Sequence, residues 1–74
     1  PQVQALTARE RQVLGLLAGG FSNREIGEKL GIAPGTAKAH VERVIGKLGA
    51  ADRTQAAVRG VALGLVAQPA GQWP

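Results

Sequence analysis

Residues 22–48, SNREIGEKLGIAPGTAKAHVERVIGKL, decide how this chain folds. The stretch reads as two short helices joined by a tight turn at Gly31. Ser22-Asn23-Arg24-Glu25 is a capping box, in which the Ser hydroxyl and the Glu carboxylate satisfy orphan amides at a helix start. Ile26 and Leu30 make an inner face, and Gly31 is a natural left-handed stop, so the spacing predicts a helix over 23–30. The next helix opens at Pro34, whose fixed φ suits the first helical position and whose missing N–H costs nothing there. Its cap position holds Ala33 where Ser, Thr or Asp would accept a hydrogen bond, a loss of about 1 kcal/mol. Gly49 ends it. On a helical wheel Ala37, Val41, Val44, Ile45 and Leu48 share one arc of about 100°. The opposite side carries Thr36, Ala39, Glu42, Arg43 and Gly46, with Lys38 on one edge and His40 and Lys47 on the other.

Two helices joined by so short a turn need a small residue in the first, a glycine in the turn and a modest apolar residue in the second. Gly27, Gly31 and Ala37 stand at those places. Gly27 occupies a position where Ala is usual, which weakens its helix by about 1 kcal/mol. A helix-turn-helix of this kind places its second helix in the DNA major groove. The alternative is an αα-hairpin used only for packing.

Outward from this segment, Thr7-Ala8-Arg9-Glu10 is another capping box, and Val13, Leu14 and Leu17 share a face of the helix it starts. Glu10 falls on that apolar face, so its carboxylate needs backbone amides or a nearby cation as partners. Gly19-Gly20 stops the helix, and Phe21 is expected to pack inward. Asp52, with Gln55 three residues on, is an N-cap for a fourth helix expected to reach about Leu63, with Gly64 as terminator. This helix carries two apolar stripes: Ala56, Gly60 and Leu63, and Val58, Val61 and Leu65. A lone surface helix needs one. Residues 1–6 read as an arm within a domain spanning 1–66. Residues 67–74, AQPAGQWP, read as a flexible C-terminal tail with Trp73 in an unanchored end. The expected class is all-α, a compact four-helix domain without strands.

The chain has 74 residues and no cysteine, so disulfides and thiolate metal sites are excluded. A formal charge of +4 and a pI near 10.8 fit a polyanionic partner. One His and no cluster of carboxylates leave no metal site. His40 is also the one candidate base for a Ser or Thr nucleophile, and it has no acidic residue at i−4 or i+4 to orient it. Neither catalysis nor a cofactor is expected. No apolar run approaches the ~20 residues of a membrane span and no signal peptide opens the chain, so a soluble, cytoplasmic protein is expected. The first residue is Pro1, which suggests a fragment of something longer.

Five ordered blocks carry a resemblance. Leu6-Thr7-Ala8-Arg9-Glu10-Arg11-Gln12-Val13-Leu14 resembles the opening LTxRExxVL of LuxR-type (NarL/FixJ) DNA-binding domains. Gly20-Phe21-Ser22-Asn23-Arg24-Glu25-Ile26 resembles their G-x-S-N-x-E-I segment, and Gly35-Thr36-Ala37-Lys38-Ala39-His40-Val41 their G-T-V-K-x-H-V. Lys47-Leu48-Gly49 and Arg53-Thr54-Gln55-Ala56 match K-L-G and R-T-x-A, and Leu63-Gly64-Leu65 closes the match over about residues 6–66. The resemblance implies a bacterial transcription regulator whose third helix docks in the major groove and whose fourth dimerises. It also implies a separate N-terminal domain receiving a phosphoryl or small-molecule signal, and RNA polymerase as a further contact. Region 4 of an alternative sigma factor shares the T-x-R-E and E-I-x-x-x-L-G-I blocks. The K-L-G and R-T-x-A blocks and His40 argue against it. A third reading is a protein-interaction module that has lost DNA binding.

Residue roles follow. Thr36, Lys38, Arg43 and Lys47 are expected to contact phosphate, or bases near the helix start. Ala39 suits a thymine methyl. His40 is divided between packing and phosphate contact. Ser22 and Asn23 open a helix whose amides suit a phosphate, besides their capping role. Glu42 departs from the family pattern, in which several members carry a basic or polar residue there. It either accepts from a cytosine or pairs with Lys38 four residues before it, and the pairing is favoured. The second stripe of the fourth helix, Val58, Val61 and Leu65, would be wet in a monomer. It is therefore expected to form an isologous homodimer contact that sets two recognition helices on a palindromic site.

Overall fold

The computed structural model describes residues 5–66 of the chain, and the expectations for Trp73 and the tail lie outside them. The described residues form four helices and no strand: α1 (Ala8–Ala18), α2 (Asn23–Leu30), α3 (Pro34–Lys47) and α4 (Arg53–Ala62). Three of the helices begin on a side-chain cap. The Thr7 hydroxyl accepts from the Glu10 N–H at 3.1 Å, and the Glu10 carboxylate accepts from the Thr7 N–H at 2.9 Å. Ser22 and Glu25 repeat the pair with the same lengths. Asp52 accepts from the Gln55 N–H at 2.8 Å, but the Gln55 side-chain Oε1 accepts from the Ala51 N–H at 2.6 Å rather than from the Asp52 N–H. Ala33 supplies no side-chain bond to α3, as its methyl group dictates.

The helix ends share a device that the sequence reading used only in part. After α1, the Gly20 N–H donates to the Leu17 carbonyl at 3.0 Å and the Phe21 N–H to the Leu16 carbonyl at 3.2 Å. After α3, Gly49 donates to Gly46 at 3.1 Å and Ala50 to Ile45 at 3.0 Å. After α4, Gly64 donates to Val61 at 3.0 Å and Leu65 to Gly60 at 2.9 Å. These are Schellman motifs, in which a glycine at positive φ reverses the chain and the residue after it folds back on the helix. α2 ends similarly, with Gly31 as the left-handed cap and the Ile32 N–H on the Gly27 carbonyl at 2.9 Å. Phe21, Ile32, Ala50 and Leu65 thereby all pack against the core.

This corrects the reading of α4. The helix ends at Ala62, and Leu63, expected on the core stripe, is 52% exposed. Leu65, expected on the wet stripe, is half-buried against the core, because the reversal at Gly64 turns it inward. The core comprises Val13, Leu14 and Leu17 of α1, Ile26 of α2, Ala37, Val41 and Val44 of α3, the α3 cap Leu48, and Ala56 of α4. Each large side chain removed from water there contributes about 1.5–3 kcal/mol before the entropy of ordering is subtracted. α1 packs on α3 and α4, and α2 packs chiefly on α3. Phe21 is half-buried, with the Lys29 ammonium 4.5 Å from its ring centroid. Leu6, expected in an arm, also packs on the core.

Candidate nucleic-acid interface

The turn between α2 and α3 depends on two glycines with different tasks. Gly31 sits at φ +69°, ψ +33°, a left-handed conformation that costs other residues energy. Gly27 lets the turn close over the helix: a Cβ there would stand 2.8 Å from the Ile32 carbonyl oxygen. The Ala that is usual at this position would therefore push against rigid backbone. With α3 so close, Ala37, Val41 and Val44 are buried and Thr36, Lys38, Glu42 and Arg43 are exposed on its other side. Ala39 is half-buried at the edge of that face. The amides of Gly35 and Thr36 have no intrahelical acceptor, and no cap side chain covers them.

Two expectations for this face change, and a third, left divided, is narrowed. First, no ion pair joins Lys38 to Glu42; among the described residues the pairs are Arg24–Glu28 at 3.8 Å and Lys47–Glu10 at 2.7 Å. On an exposed face an i,i+4 pair gains only a few tenths of a kcal/mol, comparable to the entropy of fixing two long side chains. Glu42 and Lys38 stand separately in solvent. Second, Lys47 is not part of the free basic face. Its ammonium donates to the Glu10 carboxylate and, at 3.4 Å, to the Ala5 carbonyl. The cause is Glu10, which is 4% exposed and would otherwise be a buried uncompensated charge. The hydrogen bond from Lys47, followed by that from the Thr7 backbone, holds the Glu10 carboxyl below the usual carboxylate range. Third, His40 is half-buried, and its Nδ1 is out of solvent without a hydrogen-bond partner, so that edge of the ring packs against protein.

At the start of α2, the Ser22 hydroxyl is committed as an acceptor to Glu25, while its own O–H can still donate. The Ser22 bonds, backbone first, hold the Glu25 carboxyl below the ordinary range. Asn23 is half-buried and accepts at Oδ1 from Arg53 Nη1 at 2.9 Å, and Arg53 Nη2 donates to the Phe21 carbonyl at 2.6 Å. Sequence reasoning placed Arg53 in a matched block and gave it no task. A signal was present: a cation at the first position of a helix opposes the helix dipole and needs another reason to be there. On α4, Val58 is 63% exposed and Val61 half-buried.

The chain contains an exposed, partly basic helix face set by a steric helix-turn-helix, and its sequence matches one family over most of its length. Residues 4–59 match the model of the bacterial regulatory proteins of the luxR family. The chain belongs to that family. The transcriptional regulatory protein LnrK of Bacillus subtilis is 52% identical over 60 residues, which are 81% of this chain and 27% of LnrK. The transcriptional regulatory protein LiaR of the same species is 49% identical over 55 residues, 74% of this chain and 26% of LiaR. The solved structure of the transcription factor GerE superposes with a TM-score of 0.79 at 34% identity, covering 86% of this chain and 96% of that one. The chain thus spans about a quarter of the length of the curated relatives and nearly all of the GerE chain. It is a LuxR-family helix-turn-helix domain, homologous to DNA-binding transcription regulators, and the match decides between the LuxR-type and sigma-factor readings. Among the described residues of this LuxR-family domain, no helix is long and apolar enough to cross a membrane.

Proposed function

We propose that this domain binds double-stranded DNA with α3 in the major groove, as the effector part of a longer bacterial transcription regulator. The observation that carries the reading is the exposed face of α3. Thr36, Lys38 and Arg43 are exposed, and among the described residues neither Lys38 nor Arg43 has an ion-pair partner, on a helix whose other side is buried. Lys38 and Arg43 neutralise phosphate, Thr36 donates near the helix start, and Ala39 lets the helix sit close to a base edge. Glu42, free of Lys38, accepts from a cytosine amine and so acts on specificity. Ser22 and Asn23 donate to a backbone phosphate at the start of α2. Lys47 is left out of this set because Glu10 occupies it. His40 serves packing.

A second copy pairs through the exposed part of α4 around Val58, placing two recognition helices on a palindromic site. With Leu65 turned inward, this apolar surface is smaller than the sequence suggested, so pairing belongs to the DNA-bound state. The signal-receiving domain, the contact with RNA polymerase and the cytoplasmic location belong to the same reading of the longer regulator.

Selection of bound sites from a random duplex pool tests it, since it reports DNA binding and half-site spacing together. Affinity is expected to fall steeply with salt, because phosphate neutralisation releases counterions. Absence of binding to any duplex at low salt, or salt-independent association, would instead indicate an interaction module. Val58→Glu is expected to abolish cooperative occupation of two half-sites; surviving cooperativity would rule out this face.

A further inference from the structure

Arg53 opens α4, yet its guanidinium is spent on the start of α2. It donates to Asn23 Oδ1 at 2.9 Å and to the Phe21 carbonyl at 2.6 Å. A positive charge at the first turn of a helix is electrostatically unfavourable. Here the start of a second helix, α2, lies beside it as well. No carboxylate within salt-bridge distance offsets that charge among the described residues. The arrangement also fixes the rotation of the Asn23 amide. A guanidinium can only donate, so the atom of Asn23 that faces it must be the oxygen. The Asn23 Nδ2 group is consequently turned away from Arg53, and it makes no hydrogen bond within the described residues.

We propose that Arg53 is a positioning residue for DNA binding: by holding Asn23 Oδ1 it aims the Asn23 amide donor at a backbone phosphate. The inference rests on the DNA-binding reading above and adds a residue outside the helix-turn-helix to it. Arg53 acts through Asn23, and the bond to the Phe21 carbonyl fixes the guanidinium so that the amide does not swing. Because phosphate carries no sequence information, the contribution is the same on every duplex. It also makes the reach of the Arg53 side chain from the start of α4 to the start of α2 a condition for the phosphate contact.

The test is a double-mutant cycle on the 74-residue chain, using Arg53→Met, Asn23→Ala and both together. Binding to a random-sequence duplex pool and to a selected site is measured over a salt series, with thermal melts to confirm folding. Arg53→Met is expected to weaken binding about 3- to 10-fold on both duplexes, because the Asn23 donor is left free to swing and its bond to phosphate is only partly lost. In the Asn23→Ala background the same substitution should change affinity little. Arg53→Lys, which keeps one donor, should restore part of the loss, and it stands in if Arg53→Met fails to fold. Additive losses with a salt slope reduced by about one would mean that Arg53 meets phosphate itself, and would overturn the proposal. So would a lowered melting temperature with unchanged affinity, which marks a purely structural link. Failure of the unsubstituted chain to bind any duplex would overturn the DNA-binding reading instead, so the two failures are distinct.

Discussion

At its first turn α3 rests on Ala33 and Pro34, with no side chain accepting from its amides. At its last turn Lys47 reaches Glu10 at 2.7 Å and Leu48 is fully buried. One helix is therefore anchored by a part-buried ion pair at one end and left without a side-chain cap at the other. Both ends carry lysine, and their surroundings give the two lysines opposite fates. Lys38 stays in solvent because its neighbour Glu42 offers only an exposed, weak pair. Lys47 is captured because Glu10 is buried and pays heavily for being alone. A helix built this way keeps a rigid base while its donors remain available to a ligand.

The largest expected effect would break this contrast directly. Lys38→Ala combined with Arg43→Ala should weaken duplex binding about 30- to 1,000-fold, at about 1–2 kcal/mol per cation, with an unchanged thermal melt. Lys47→Met should do the reverse, lowering the melting temperature while sparing the affinity of the folded domain. If titrations show equal affinity losses for Lys38→Ala and Lys47→Met, the two ends do not differ in role. Next, Gly27→Val should destabilise the domain by about 1–3 kcal/mol in chemical denaturation, because the added side chain meets the Ile32 backbone. A neutral result would mean that the turn is less tight than the geometry requires.

Ala33→Ser should supply the missing cap and raise stability by about 1 kcal/mol. No gain would show that the start of α3 is already satisfied in solution. The pH dependence sharpens the anchored end. Glu10 titrates below its ordinary value of 4.5 in the folded domain, so its stabilisation is fully present above that value. It is lost as pH falls through the lowered folded value. Acid unfolding curves of Glu10→Gln should therefore lack part of this loss, although Glu25, lowered in the same direction, still contributes. The smallest effect is expected at the exposed pair: Arg24→Ala should change stability by less than about 0.5 kcal/mol.

Much of the fold was legible because its signals are local. The capping boxes at Thr7 and Ser22, the stop at Gly31 and Pro34 at a first helical position each act within four residues. The apolar arc of α3 is likewise a matter of period alone. Leu65 was misjudged because helical period was extended past Gly64, where the chain reverses. The pairs Gly20-Phe21, Gly31-Ile32, Gly49-Ala50 and Gly64-Leu65 were a readable signal for that reversal. The roles of Lys47 and Arg53 were harder, since their partners lie 37 and 30 residues away in sequence.

By itself, then, the sequence determined where the helices start and stop, which face of α3 is apolar and to which family the chain belongs. Those properties depend on hydrogen bonds and periodicity within a turn or two. Only the tertiary structure decided which cations remain free, whether Glu42 pairs with Lys38, and which residues of α4 face solvent. A charged side chain goes wherever its desolvation is best offset, and that depends on which distant residue the packing brings within reach.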